Sequence, residues 1–477
     1  MRLSELVMGM NCRIYNFKDV PVEALEYDSR KIKKGALFIA IKGDKYDGHK
    51  FIKQAEGLGA VAIATQEHVD SVLPQIVFDN TREAMGKLAK NFYGDISNLR
   101  IIGVTGTNGK TTTTFLIHSI LQKAGHNPGL IGTIYYLGKE KRKAGRTTPE
   151  SLDIFKLIND FHKDNAKSVV MEVSSHALVL KRVEELRFQI AIFTNLSQDH
   201  LDFHKTIDEY KKAKLHIFDL LKEDGIAIYN YDDPIKEDIS KLKIKNVLNF
   251  GFNKEAMIQG KIIEDSLSGL KINVSYQENT LEINSKLIGI FNGYNILASV
   301  AAGVASRISF DTIKNGIESV GSIRGRLERV YENIFVDFAH TPAAIGNLLK
   351  SLQKYKCGRL IIVFGCGGDR DKAKRPQMGR IACANADFVI LTSDNPRTEN
   401  SDDIIKDIVA GIKTDNFIVI PDRKEAIEYG IKIKQTEDIL VIAGKGHEEY
   451  QIIGDTSIPF DDAQVVREII GKKDYAY

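Results

Sequence analysis

Residues 100–114 read RIIGVTGTNGKTTTT, a glycine-bearing stretch that ends in Lys110 and four threonines. That combination can cradle phosphate. The backbone N–H groups of a tight loop and of a helix start face an anion, a lysine reaches its outer oxygens, and the next hydroxyl ligates Mg²⁺. Lys110 and Thr111 would fill the last two roles. The usual spacing, G-x-x-x-x-G-K-[ST], needs a glycine where this chain has Val104; its glycines are Gly103, Gly106 and Gly109. A plain glycine turn is the alternative, and the order strand, glycines, Lys-Thr, helix speaks against it. Further along, SVVMEVSSH carries Glu172 at the end of an apolar run, where a second, acidic Mg²⁺ contact belongs.

Other chemistries fail on spacing. His200 and His204 stand four apart, as on a zinc-protease helix, but the glutamate of H-E-x-x-H is missing and FTNLSQD before them reads as strand end and loop. A GTPase needs N-K-x-D, and NKEA at 253–256 lacks the aspartate. Gly365, Gly367 and Gly368 follow an apolar run, yet Arg370 occupies the third-glycine place of a dinucleotide fingerprint.

The elements that must hold these groups alternate between short β-rich runs and helical patterns, which predicts an α/β protein with parallel sheets. One strand group comprises 36–41, 60–65 and 75–80, followed by a helix from 81. A second comprises 100–105, 168–175, 189–195 and 225–230. Between about 256 and 290 the segments alternate like an antiparallel appendage. A third group comprises 333–340, 359–368, 387–396, 416–422 and 438–446. The polar, glycine-bearing stretches 93–99 and 321–330 separate the groups, so three domains are expected at 1–98, 99–325 and 326–477. A chain of 477 residues has room for them. With 66 basic and 63 acidic residues, bulk charge gives no case for nucleic acid or a membrane surface. The four cysteines show no zinc spacing, the opening MRLSELVMGM lacks a signal peptide's long apolar stretch, and no segment approaches the length of a membrane span. A cytoplasmic protein with reduced thiols is expected.

Seven motifs in order, GVTGTNGKTTT, MEVSSHAL with KRV, TNLSQDHLDFH…EYKKAK, VDFAHTP, GCGGDRD, SDNPRTE and AGKGHE, together resemble the Mur ligases of peptidoglycan synthesis over nearly the whole chain. T-G-T-N-G-K-T is that family's own form of the loop. The resemblance implies a uridine-nucleotide-binding α/β domain, a central phosphate-loop ATPase domain with a parallel sheet and a small antiparallel part, and a Rossmann-like domain for the incoming amino acid. It implies that Gly106, Thr107, Asn108, Gly109, Lys110, Thr111 and Thr112 hold ATP, with Asn292, Arg326, Asp337 and His340 as further nucleotide contacts. The implied Mg²⁺ ligands are Thr111, Glu172, His200 and Lys214, the last as a CO₂-derived carbamate, and the implied catalytic set is Lys110, Glu172, His200 and Lys214. An ammonium cannot ligate a cation, whereas a carbamate can; a solvated helix face is the plain alternative for YKKAKL.

The resemblance further implies that Ser29, in DSRKIKKGALFIAIKGDKYDGHKF, and Thr147, Thr148, Ser174 and Arg182 contact UDP-MurNAc-L-Ala-D-Glu. The basic stretch GKEKRKAGR (138–146) would steer that anion, or is an exposed loop without such a task. Arg370, Asp394, Asn395, Pro396, Arg397, Gly444 and Glu448 are the implied contacts to meso-diaminopimelate. Arg397 offers a planar fork to a distal carboxylate that lysine lacks. The implied reaction forms an amide on the D-glutamate side chain through an acyl phosphate, in a monomer. Its rivals are a lysine-adding or folylpolyglutamate-forming relative, a phosphate-loop kinase and a noncatalytic binding module.

Overall fold

The computed structural model describes residues 1–43, 46–94 and 96–474. Asp44 and Lys45 of the uridine-type segment, Asp95 of the first boundary stretch and residues 475–477 lie outside the described residues. The chain forms two compact units. The first comprises Met1–Lys261, Asn273–Ile283 and Phe291–Ser319, the second Ile262–Ile272, Asn284–Ile290 and Val320–Tyr477.

The first unit opens with a five-stranded sheet in the order Arg13–Tyr15, Gln75–Val77, Ala62–Thr65, Ala36–Ile39, Ala24–Glu26. Its three inner strands are buried at every residue, as parallel strands covered on both faces must be. Helix Thr81–Tyr93 starts where the Asn80 side chain accepts from the Arg82 and Glu83 amides.

In the next sheet Arg100–Thr105 lies between Ser168–Glu172 and Phe188–Phe193, all parallel. The register places Glu172 opposite Val104 and Phe193 opposite Thr105. The phosphate loop, Glu172 and the segment leading to His200 therefore leave the sheet at one level, at its carboxyl edge, where α/β ligand sites gather. Strands Ile258–Ser266, Gly269–Tyr276 and Asn279–Ser285, joined by two-residue turns, form the antiparallel appendage that the alternation predicts.

The second unit holds a six-stranded sheet, Glu328–Tyr331, Ile334–Asp337, Ile439–Ala443, Leu360–Phe364, Phe388–Leu391, Phe417–Val419, parallel except for the first strand. Alternate residues of Leu360–Phe364 enter two separate apolar cores, one on each face. That is the two-sided layering of a Rossmann-like sheet. A hairpin of Tyr450–Ile453 and Thr456–Pro459 stands beside it. Among the described residues no helix is long and apolar enough to cross a membrane.

Candidate active site

The displaced glycine has a packing explanation. Gly103 lies inside strand Arg100–Thr105, where a Cβ would come 2.7 Å from the Phe188 ring. The loop's own glycines come later. Gly106 has φ 136°, and a Cβ there would lie 1.9 Å from Thr194 Oγ1; Gly109, at φ 85°, caps helix Lys110–Lys123. The segment after Phe188–Phe193 staples the loop. Thr107 N donates to the Asn195 carbonyl (2.8 Å), Asn108 N to Asn195 Oδ1 (3.0 Å), and Thr194 Oγ1 to the Asn108 carbonyl (2.6 Å). Lys110 Nζ folds back onto the carbonyls of Gly106 (2.8 Å) and Thr107 (2.9 Å), and Thr112 is buried in the first helical turn.

Thr111 Oγ1 donates to Glu172 Oε2 at 3.1 Å, and both residues are buried. Glu172 also accepts from Thr133 N (2.7 Å) and Thr133 Oγ1 (3.0 Å). All three donors are neutral, and among the described residues this buried carboxylate has no cationic partner. A hydroxyl and an uncompensated carboxylate at a helix start form a hard-oxygen donor set that suits Mg²⁺.

Lys214 is also brought to the loop. Its Nζ donates to the Gly106 carbonyl at 2.7 Å and lies 4.6 Å from the Tyr210 ring centroid, and its side chain is buried. Burial first, then Lys110, holds this amine well below the ordinary lysine range. The solvated-face alternative for Lys214 thus does not describe the fold. His200 sits at the left-handed entry (φ 52°) to the four-residue helix Leu201–His204, so the two histidines do not share a long helix. The His200 ring is half exposed, 3.5 Å from Asp199 Oδ2 and 4.9 Å from the His176 ring. Burial, with Lys110 and Lys214, lowers its pKa against Asp199. His204 is structural: its buried Nε2 meets Ser175 Oγ at 2.9 Å. Among the described residues no three His, Cys, Asp or Glu side chains gather to hold a metal by themselves.

Beside Glu172, Thr148 Oγ1 donates to the Glu172 carbonyl (2.8 Å) and bonds Ser174 Oγ (3.2 Å), while Thr147 Oγ1 lies 3.1 Å from Thr133 Oγ1. Arg182 donates to the Thr148 carbonyl (3.0 Å) and reaches Glu150 (2.9 Å). Glu150, unremarked in the sequence reading, also binds Arg82 (2.7 Å) and Arg146 (2.6 Å). Burial raises this carboxyl, but Arg182, Arg82 and Arg146 outweigh it and hold it below its usual range. One buried anion therefore gathers three cations beside Thr148, and Arg182 Nε has no partner among the described residues. Ser29 makes a different contact, donating to Gln54 Oε1 at 3.0 Å. The stretch 138–146 is partly occupied: Arg142 pairs with Asp160 and Arg146 with Glu150.

Asn292 is buried and accepts from Asn295 Nδ2 (2.9 Å). In the second unit, Asp337 accepts from the Leu327 (2.7 Å) and Ala339 (2.8 Å) amides, Arg326 lies 5.1 Å from the Phe338 ring centroid, and His340 is exposed. A denser group surrounds SDNPR. Arg397, at φ 53°, donates from NH1 to the Gly368 carbonyl (2.6 Å) and from its amide to Ile452 (3.1 Å). Asn395 Nδ2 donates to Glu448 Oε2 (2.8 Å), and Gln451 Nε2 to the Asp394 carbonyl (2.7 Å). A Cβ on Gly444 would lie 2.7 Å from Asp394 Oδ2, and one on Gly368 would lie 1.9 Å from the Pro396 carbonyl. Of the residues expected here, Arg370 alone projects as an exposed arginine, bonded among the described residues only to the adjacent Asp369 carbonyl (3.1 Å). Lys445, which the sequence reading did not single out, is the buried centre of this group.

Models of the Mur ligase family's catalytic domain, the Mur ligase middle domain and the Mur ligase glutamate ligase domain match residues 21–93, 104–303 and 325–446. A UDP-N-acetylmuramoyl-L-alanyl-D-glutamate--2,6-diaminopimelate ligase of Caldanaerobacter subterraneus is 43% identical over 484 residues, covering 99% of this chain and 100% of the relative. A ligase of the same name from Aquifex aeolicus is 42% identical over 456 residues, covering 94% of each. Among solved structures, a ligase of that name aligns with 32% identity and a TM-score of 0.69 over 99% of both chains. A MurF ligase from Thermotoga maritima in complex with ADP shares the fold at 19% identity, with a TM-score of 0.67 over 96% of this chain and 99% of its own.

Proposed function

Because this chain belongs to the Mur ligase family, we propose that it is an ATP-dependent ligase of cytoplasmic peptidoglycan precursor synthesis, joining meso-diaminopimelate to the D-glutamate side-chain carboxylate of UDP-MurNAc-L-Ala-D-Glu. Near full-length relatives bearing that activity in their names support the substrates. The chemistry is carried by one observation, the buried Thr111 hydroxyl 3.1 Å from the Glu172 carboxylate at the start of the phosphate-loop helix. Residues 1–98, 99–325 and 326–477 are the domains that take the uridine nucleotide, ATP and the amino acid.

A carboxylate is a poor electrophile, so it is activated first. A carboxylate oxygen bonds the γ-phosphorus of ATP as the bond to the β,γ-bridging oxygen breaks, giving an acyl phosphate and ADP. The first-turn amides of helix Lys110–Lys123 would face the phosphates, and Lys110 would leave the Gly106 and Thr107 carbonyls to neutralise the transferred charge. Thr111 and Glu172 would hold Mg²⁺, which offsets charge on the phosphate oxygens when bound. Burial, then Lys110, lowers the pKa of the Lys214 amine; its carbamate, formed with CO₂ as an amine proton leaves, would with His200 supply further metal ligands. The free amine of diaminopimelate then attacks the acyl carbon, orthophosphate departs, and the amide remains.

Asn292, Arg326, Asp337 and His340 complete the nucleotide contacts. Arg182, Thr147, Thr148 and Ser174 hold the dipeptide end and Ser29 the uridine end of the acceptor. Arg370, Asp394, Asn395, Pro396, Arg397, Gly444 and Glu448 receive diaminopimelate. A monomer on a sizing column is the expected form.

With the acceptor carboxylate labelled by heavy oxygen, one labelled atom should appear in orthophosphate, and orthophosphate should form only when acceptor and amino acid are both present. Unlabelled phosphate, or a phosphorylated product as from a kinase, would overturn this reading.

A further inference from the structure

We propose that Lys445 is a positioning residue that sets the preference for diaminopimelate over lysine, an inference that rests on the assignment of Asn395, Arg397 and Glu448 to the amino-acid site. Lys445 follows strand Ile439–Ala443, and none of its side chain reaches solvent. An ammonium has three N–H donors. Here three acceptors meet them: Asn395 Oδ1 at 3.1 Å, Glu448 Oε2 at 3.1 Å and the Tyr450 carbonyl. With every donor committed, Lys445 fixes other groups rather than touching a ligand.

Two consequences follow from those contacts. Asn395 Oδ1 also accepts from the Ile452 amide (3.0 Å), so both its bonds turn the amide nitrogen toward Glu448 Oε2 at 2.8 Å. That oxygen of Glu448 is thus held by Asn395 and Lys445 together, while Oε1 has no hydrogen-bond partner among the described residues and is left for a ligand ammonium. Lys445 also balances the carboxylate charge inside the frame. The distal end of diaminopimelate carries an ammonium and a carboxylate, and Arg397 answers the carboxylate. Lysine brings only the ammonium. Without the Lys445 charge, Glu448 makes the frame more negative and the orientation of Asn395 is released. Both changes penalise the ligand that carries a carboxylate more than the one that lacks it.

The test compares kcat/KM for meso-diaminopimelate and L-lysine in wild type, Lys445→Met and Lys445→Gln, with saturating ATP and acceptor. The expected result is a fall of about tenfold or more in the diaminopimelate-to-lysine ratio. The fall should arise in KM for diaminopimelate, while KM for ATP and for the acceptor stays within about twofold of wild type. Lys445→Gln keeps a neutral donor and carries the test if Lys445→Met fails to fold. An unchanged ratio, or equal losses for both amino acids, overturns the positioning role. A wild type that does not favour diaminopimelate overturns the assignment beneath it instead.

Discussion

Around the phosphate loop the buried polar groups are mostly hydroxyls and amides: Thr111, Thr112, Thr113, Thr114, Thr194, Asn292, Asn295 and Ser299. Around Asp394–Arg397, beside Thr392 and Asn395, ion pairs dominate. Arg423 and Asp462 pair at 2.7 Å with neither side chain exposed, Arg375 pairs with Glu399 at 2.8 Å, and Lys445 with Glu448 at 3.1 Å. The difference fits what each region is proposed to handle. A nucleotide anion must enter, react and leave, and fixed charges nearby would either trap or repel it, so a neutral frame leaves the electrostatics to Lys110 and a bound cation. A zwitterionic amino acid is recognised by counter-charges at set positions, and those must themselves be locked. The buried carboxylate and amine at the loop, Glu172 and Lys214, are the residues proposed for metal binding.

Breaking the ionic region should have the larger consequence for selectivity. Arg397→Ala is expected to cost about 10⁴-fold in preference for diaminopimelate over lysine, because a polar site built for a carboxylate rejects the ligand without one; competition between the two amino acids measures it. At the neutral loop, Lys110→Ala should lower kcat by about 10³-fold, read by phosphate release at saturating substrates. For stability the contrast is sharper. Asp462→Ala leaves Arg423 buried without its partner and should cost about 3–5 kcal/mol, whereas Thr113→Val, which removes a hydroxyl bonded to a neutral amide, should cost about 1 kcal/mol, both by denaturant titration.

The smallest effect is in pH. Arg375's hydrogen bonds hold Glu399 down to about 2, below the ordinary 4.5. A depressed folded pKa stabilises above the unfolded value and loses that contribution as pH falls from about 4.5 through about 2. Acid melts of wild type should lose stability over that window, and Glu399→Gln should be flatter there.

The ionic region was also the less legible one. The phosphate loop, Glu172 and the strand end before His200 could be placed from sequence because chain order alone brings them to one sheet edge. The missing glycine at Val104 became intelligible only with Phe188 packed on Gly103, a contact between residues far apart in the chain. Lys445 was quoted within AGKGHE but assigned nothing, since a lysine's burial depends on Asn395 and Tyr450 closing over it. Glu150 was hidden for the same reason: its partners Arg82, Arg146 and Arg182 span a hundred positions. Conversely, the basic run 138–146 suggested more free charge than remains once Arg142 and Arg146 find their acids.

The Glu150 knot bears on recombination between relatives. Arg82 belongs to the opening sheet's helix, while Glu150, Arg146 and Arg182 come from the next stretch of chain. A chimera that grafts a foreign opening segment lacking an arginine at this place would leave the carboxylate with two partners instead of three, and a graft supplying arginine opposite a neutral residue would bury a charge unanswered. Heredity across that junction is therefore coupled: the two sides must be exchanged together or matched at this one position.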